Sequence, residues 1–142
     1  MIADEHSVWL ILRSDSLGTA TRIAKEVELP VPEKLGSGRD LNVFILKSDG
    51  EVDFDRPVSE HLQWLSETIS ASGERIRSLL RQPGNSGIVF IHVFTFQDSI
   101  YIETPGEIHQ ELGALGVNFE IKVEMKSDPC LEGPVDQVLC SS

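Results

Sequence analysis

The chain has few of the residues on which metal chemistry, disulfide frameworks and membrane insertion depend. Its 142 residues include two cysteines and four histidines, and no apolar run approaches the length needed to cross a bilayer. Cys130 and Cys140 lie in the C-terminal part without a second cysteine pair or a nearby histidine, which excludes a zinc site of the usual spacing. Two free thiols are therefore expected, with a disulfide between them as the alternative.

Basic residues are also scarce, with 12 Lys and Arg against 23 Asp and Glu and a formal net charge of -11. Such a field repels nucleic acid and anionic headgroups, so we expect neither a nucleic-acid nor a membrane partner. The same charge either serves solubility alone or speeds association with a basic protein. The first residues, Met1 to His6, lack the basic and apolar regions of a secretory signal, and the sequence thus predicts a cytoplasmic protein.

The hydrophobic pattern divides the chain into one domain, residues 1–126, and a tail, residues 127–142. A chain of this size buries roughly two thirds of its unfolded surface, so the core needs no disulfide and no metal. In the first half, alternation and helical spacing predict four elements. They are a strand over Ser7–Arg13, covered on one side and partly covered on the other, a helix capped by Asp15 or Ser16, a strand over Leu41–Leu46 and a long helix from Val58 to about Gln82, with Gly73 as a weak point or a kink.

The second half predicts two strands, a helix and a final strand. Ile88 to Phe96 is apolar on both faces, which is typical of a central strand, and we expect Phe90, Ile91 and Val93 to be buried beside the long helix. The remaining elements are a short strand over Ser99–Ile102, a helix opened by a capping box over Thr104–Glu107, and an alternating strand over Val117–Met125 with one face in water.

The order βαβαββαβ predicts an α/β protein, more exactly an α+β two-layer sandwich of ferredoxin-like type. Its sheet should be mixed and mostly antiparallel, with about five strands, and three helices should cover one face.

The stretch from Ile100 to Val123, a short strand followed by a helix, Leu112-Gly-Ala-Leu-Gly116 and an alternating strand, resembles the end of a bacterial family catalogued as domain of unknown function 4279. By pattern the resemblance extends over residues 7–125. The chain departs from the family at Phe44, where members typically have a tryptophan near the start of the second strand. The resemblance implies a protein without assigned chemistry, associated with toxin-immunity gene neighbourhoods.

The densest charge lies between the second strand and the long helix, where carboxylates alternate along the chain. Their spacing imitates a calcium loop, but Phe54 stands where such a loop needs glycine, and Pro57 interrupts it, so we expect no metal and no cofactor. A solvated acidic surface that contacts a basic partner is the candidate binding site. Its residues are Asp49, Glu51, Asp53, Asp55 and Glu60.

No catalytic constellation is present in the sequence. The histidines have no metal-ligand spacing, His92 lies between Phe90 and Phe94 on one face of a strand, and no serine stands in a nucleophile elbow. The loop Leu35 to Arg39 precedes a strand, whereas a phosphate site opens a helix. We therefore expect a non-enzymatic interaction protein of immunity type. The alternatives are a small-ligand-binding regulatory module and, last, an enzyme.

Overall fold

The computed structural model describes residues 4–30 and 41–125. The glycine loop at residues 35–39, both cysteines and the predicted tail at residues 127–142 lie outside these ranges. The described elements, in chain order, are β1 (Glu5–Ser14), α1 (Ala20–Glu26), β2 (Val43–Lys47), α2 (Val58–Ile69), a 3-10 turn (Ser70–Ser72), α3 (Gly73–Arg81), β3 (Asn85–Thr95), α4 (Gly106–Gly113) and β4 (Asn118–Met125).

The strands form one mixed sheet in the order β2-β1-β3-β4. β1 is antiparallel to β2 and to β3, whereas β3 and β4 are parallel, so the predicted mixed and mostly antiparallel sheet is confirmed. The described residues form four strands and not five, because Ser99–Ile102 is not a strand. β3 is already paired on both sides, so the segment that directly follows it has no free edge beside β3 to join.

The ferredoxin-like topology is not confirmed. In that fold, helices connect strands of split βαβ units. Here α1 joins β1 to β2, which are adjacent and antiparallel, and α4 joins β3 to β4, which are adjacent and parallel.

The helices pack on one face of the sheet, as predicted. Alternate residues of β1 and β3 point toward them and are buried, since successive side chains of a strand point to opposite faces. The helices contribute apolar side chains such as Ile23, Leu65 and Ile76 to the same cluster. The strand residues in this core are Val8, Leu10, Leu12, Phe44, Val89, Ile91 and Val93.

The helix boundaries differ from the predicted ones at three places. α1 is capped by Thr19, whose hydroxyl accepts from the Arg22 N–H at 3.2 Å, and not by Asp15 or Ser16. The long helix is broken at Ser70–Ser72 before Gly73, where the Ser70 hydroxyl donates to a backbone carbonyl. The segment 58–81 is thus two helices joined by one tight turn. The capping box is not formed, because α4 begins at Gly106 and Pro105, its N-cap, makes no side-chain hydrogen bond.

Two burial predictions are wrong. Ile91 and Val93 are buried in the centre of the sheet as predicted, but Phe90 points to the face opposite the described helices and is half-buried. The apolar side of β4 was expected in the core, yet Ile121, Val123 and Met125 are 55%, 43% and 54% exposed. Only Phe119 of this strand packs against the core, and its ring stacks on His109 of α4 with the ring centroids 4.3 Å apart.

Candidate partner-binding surface

The face of the sheet opposite the helices is unusually apolar for a surface. We call it the open face. A sheet face that packs on no other element is normally polar. On this face, which none of the described helices covers, the two central strands present large apolar side chains that are half-buried. The apolar and aromatic members of the open face are Trp9, Ile11, Val43, Ile45, Ile88, Phe90, His92 and Phe94.

An aromatic row crosses the middle of the open face, consisting of Trp9, Phe90, His92 and Phe94. Trp9 is the register partner of Phe90, and their ring centroids lie 5.7 Å apart. The His92 ring lies 5.7 Å from that of Phe90 and 4.3 Å from that of Phe94. Rings at these distances stabilise one another, and their contacts hold the row in a fixed arrangement.

Charged groups border the aromatic row on both sides. On the β2 side, the Lys47 ammonium lies 4.4 Å from the Trp9 ring centroid, in the arrangement of a cation–π contact. On the β4 side, Lys122 lies 2.8 Å from the Glu124 carboxylate, and this hydrogen bond lowers the pKa of Glu124 below its ordinary value. His92 Nε2 is 3.3 Å from the same carboxylate, within ion-pair distance but without hydrogen-bond geometry. An apolar centre with a charged rim is the usual anatomy of a protein interface.

Asp49, the first residue of the predicted acidic site, lies at the edge of the aromatic row. Its carboxylate accepts a hydrogen bond from the Ser7 hydroxyl and a second, at 3.2 Å, from the indole N–H of Trp9. The same indole donates to the Ser7 hydroxyl oxygen at 2.7 Å. The structure therefore connects the acidic loop, residues 49–55, to the open face.

The other predicted acidic residues divide into two groups. Glu51, Asp53 and Asp55 are exposed, as expected of a solvated loop. Glu60 instead forms a two-pronged ion pair with Arg56, and this hydrogen bond lowers the pKa of Glu60. Because its charge is compensated, Glu60 is a poor candidate for attracting a partner.

In the described part of the chain, no cluster of three His, Cys, Asp or Glu side chains is arranged to hold a metal ion. The expected lack of calcium binding stays a prediction.

A buried hydrogen-bond chain holds the acidic loop in place. Ser48 accepts from the Val8 N–H at 2.9 Å, so its hydroxyl proton can be donated to His61 Nδ1, 2.7 Å away. The proton of the imidazole then resides on Nε2, which donates to the Asp53 carbonyl at 3.1 Å. His61 is fully buried, and this burial lowers its pKa, which favours the neutral ring that the chain of bonds requires.

A cavity of about 400 Å³ lies at the end of the sheet where β1 begins and α2 starts. Its walls include Asp4, His6, Asp55, Gln97 and Tyr101. One wall thus belongs to the acidic loop, and another belongs to the segment between β3 and α4. No sequence pattern indicates this cavity, because its residues are far apart along the chain.

The open face was not predicted, although its residues alternate with the core residues in the sequence. Trp9 and Ile11 alternate with the core residues of β1, and Phe90, His92 and Phe94 alternate with those of β3. The pattern of β1 predicts a strand covered on one side and partly covered on the other, whereas the apolar run of β3 predicts a strand buried on both sides. The same pattern also arises when one face packs on helices and the other is left for a partner.

No family model matches the chain, and no curated protein or solved structure was found to match it. No helix in residues 4–30 and 41–125 is long and apolar enough to cross a membrane.

Proposed function

We propose that the protein is a non-enzymatic interaction protein, of immunity type, that neutralises a basic partner protein by binding it. The observation that supports this proposal most is the aromatic row on a sheet face that none of the described helices covers, with Asp49 fixed at the edge of the row. Buried aromatic residues surrounded by polar groups are the typical centres of binding energy in protein interfaces. The proposal places the protein in the cytoplasm, where its partner would also have to be encountered.

Charge complementarity supports a basic partner. The net charge of -11 attracts a positive surface at long range. Asp49 borders the open face, and Glu51 and Asp53 are exposed in the same acidic loop. Among the described residues, none of these three makes an ion pair of the kind that Glu60 makes. The proposal therefore assigns steering to the acidic loop and the short-range contacts to the aromatic row.

The test uses affinity capture with three forms of the purified protein and quantitative mass spectrometry. Ile45→Lys places a positive charge on the open face at an exposed position, so the fold should tolerate it. Gln63→Lys makes the same charge change at an exposed position of α2, on the helix side, and is the matched control. We expect a basic protein that the native form and Gln63→Lys retain and that Ile45→Lys loses.

Two outcomes would contradict the proposal. One is an acidic partner. The other is a partner that Ile45→Lys retains as well as the native form does, because the contact would then lie elsewhere on the molecule.

The cavity favours a second candidate function, a small-ligand-binding regulatory module. Its volume of about 400 Å³ lies within the usual range for ligand sites, and Asp4 and Asp55 would select a polar or cationic molecule. Native mass spectrometry of protein purified without added ligands tests this. A bound small molecule that Asp55→Asn releases would support the module, whereas protein of the bare polypeptide mass would contradict it.

A further inference from the structure

The edge strand β4 leaves its apolar side uncovered. At the other edge of the sheet, β2 buries Phe44 to 1% exposure under the helices. In β4 the corresponding side carries Ile121, Val123 and Met125, all of them exposed, although their register partners Ile91, Val93 and Thr95 are buried. Within the described residues, β4 pairs with β3 alone, so its outer backbone edge is free to accept another strand.

The two sides of β4 are complementary to an antiparallel copy of the same strand. In an antiparallel pair centred on Val123, Ile121 stands opposite Met125 of the second copy, and Val123 stands opposite its own counterpart. On the other side of the sheet, Lys122 stands opposite Glu124 of the second copy, and Glu124 stands opposite Lys122. All opposed pairs are therefore either apolar or oppositely charged, which stabilises neighbouring strands.

The alternative register centred on Lys122 fails on charge. It places Lys122 opposite itself and Glu120 opposite Glu124 of the second copy, and like charges directly opposite are destabilising. A register centred on Ile121 places Glu120 opposite Lys122 but leaves Glu124 opposite Asn118. The register centred on Val123 therefore pairs both Lys122 and Glu124 with opposite charges, while the apolar side provides the surface to bury. We propose that two copies of the protein associate through antiparallel pairing of β4 centred on Val123, forming a continuous eight-stranded sheet. The apolar side of this pairing lies on the helix side of the sheet, opposite the aromatic row, whereas Lys122 and Glu124 also border that row. The pairing does not depend on the proposed basic partner.

Charge reversal and restoration test the pairing, with sedimentation equilibrium as the measurement. Lys122→Glu and Glu124→Lys each turn attractive pairs into repulsive ones, so each should raise the dimer dissociation constant about tenfold. The double variant Lys122→Glu/Glu124→Lys restores opposite charges at every position and should return to near the native value. Lys25→Glu, an exposed site in α1, makes the same charge change as Lys122→Glu away from β4 and should leave the constant unchanged.

Cysteine cross-linking tests the register in a Cys130→Ser/Cys140→Ser background. Val123→Cys should form an intermolecular disulfide on mild oxidation, because the two cysteines would face each other. Ile121→Cys should not, because its counterpart would lie four residues along the strand, roughly 13 Å away. Monomeric protein at all concentrations, a double variant that folds without regaining the dimer, or cross-linking through Ile121→Cys in place of Val123→Cys would each overturn the proposal.

Discussion

The indole N–H of Trp9 donates a hydrogen bond to the Asp49 carboxylate at 3.2 Å, joining the open face to the acidic loop. Trp9 belongs to the aromatic row that we propose as the binding centre. Asp49 is the residue of the acidic loop whose position is fixed by hydrogen bonds from side chains of β1. Asp49 therefore combines a negative charge with a positioning role, and the two roles have different kinetic consequences.

The first prediction concerns the kinetics of binding to a basic partner. The pair Glu51→Gln/Asp53→Asn removes exposed charge alone, so it should slow association and leave dissociation nearly unchanged. Asp49→Asn should slow association and also speed dissociation, because it weakens the bonds that fix Ser7 and Trp9. Surface plasmon resonance over a salt series checks both.

In the same series, added salt should slow association of the native protein, since screening acts over about 10 Å at 0.1 M. Association rates that do not respond to salt, or a dissociation rate that Asp49→Asn leaves unchanged, would contradict this division of roles.

The second prediction concerns pH. Burial lowers the pKa of His61 below its ordinary value of 6.5, so the unfolded chain binds a proton more readily than the folded protein does. His61 therefore stabilises the fold fully above the unfolded pKa, and this contribution declines as the pH falls below it. The free energy of unfolding, measured by urea denaturation, should fall from about pH 7.5 to about pH 5.

His61→Gln is the control for this pH dependence. It should cost roughly 1–3 kcal/mol at neutral pH, since Ser48 and the Asp53 carbonyl lose good partners. It should also flatten the pH dependence between the two values. If the free energy of unfolding depended on pH equally in the native protein and in His61→Gln, His61 would not be the cause of the pH dependence. The carboxylates of Glu60 and Glu124, whose pKa values are also lowered, lose their contribution at lower pH and do not interfere.

The third prediction compares two glycines. A methyl group at Gly87 would lie 2.9 Å from Leu80 Cδ1 and 3.0 Å from Val117 Cγ1, so Gly87→Ala should cost about 1–3 kcal/mol of stability through overpacking. At Gly113, the last residue of α4, a methyl group has nothing within 4 Å, and Gly113→Ala should stabilise by up to ~1 kcal/mol. Thermal denaturation of both variants checks the contrast, which equal effects would contradict.

Local signals in the sequence were sufficient for most of the secondary structure. Contacts with one core determine the alternation of β1, the apolar run of β3 and the spacing of the apolar helix residues. These elements lie where they were expected. Strand order, by contrast, depends on long-range pairing. Nothing in Ser99–Ile102 indicates that both sides of β3 are already occupied, and the predicted fifth strand is therefore absent from the described residues.

The candidate site was only partly accessible from the sequence. The acidic residues could be found by their density in the sequence. The ion pair between Arg56 and Glu60 and the hydrogen bonds from Trp9 and Ser7 to Asp49 could not be predicted, because they depend on the folded structure. The exposure of β4 was hidden for a similar reason. Its alternation predicts a covered side, but of this strand only Phe119, which stacks on His109 of α4, packs against the core.

The most direct measurement of the central claim follows the two indole N–H signals by NMR while a captured basic partner is added. Trp9 lies in the aromatic row, and Trp64 lies on α2 against the core, on the opposite side of the sheet. The account predicts that the Trp9 signal shifts in proportion to the bound fraction while the Trp64 signal stays in place. A shift of Trp64 with an unchanged Trp9 signal would show that the partner binds the helix side and would contradict the account.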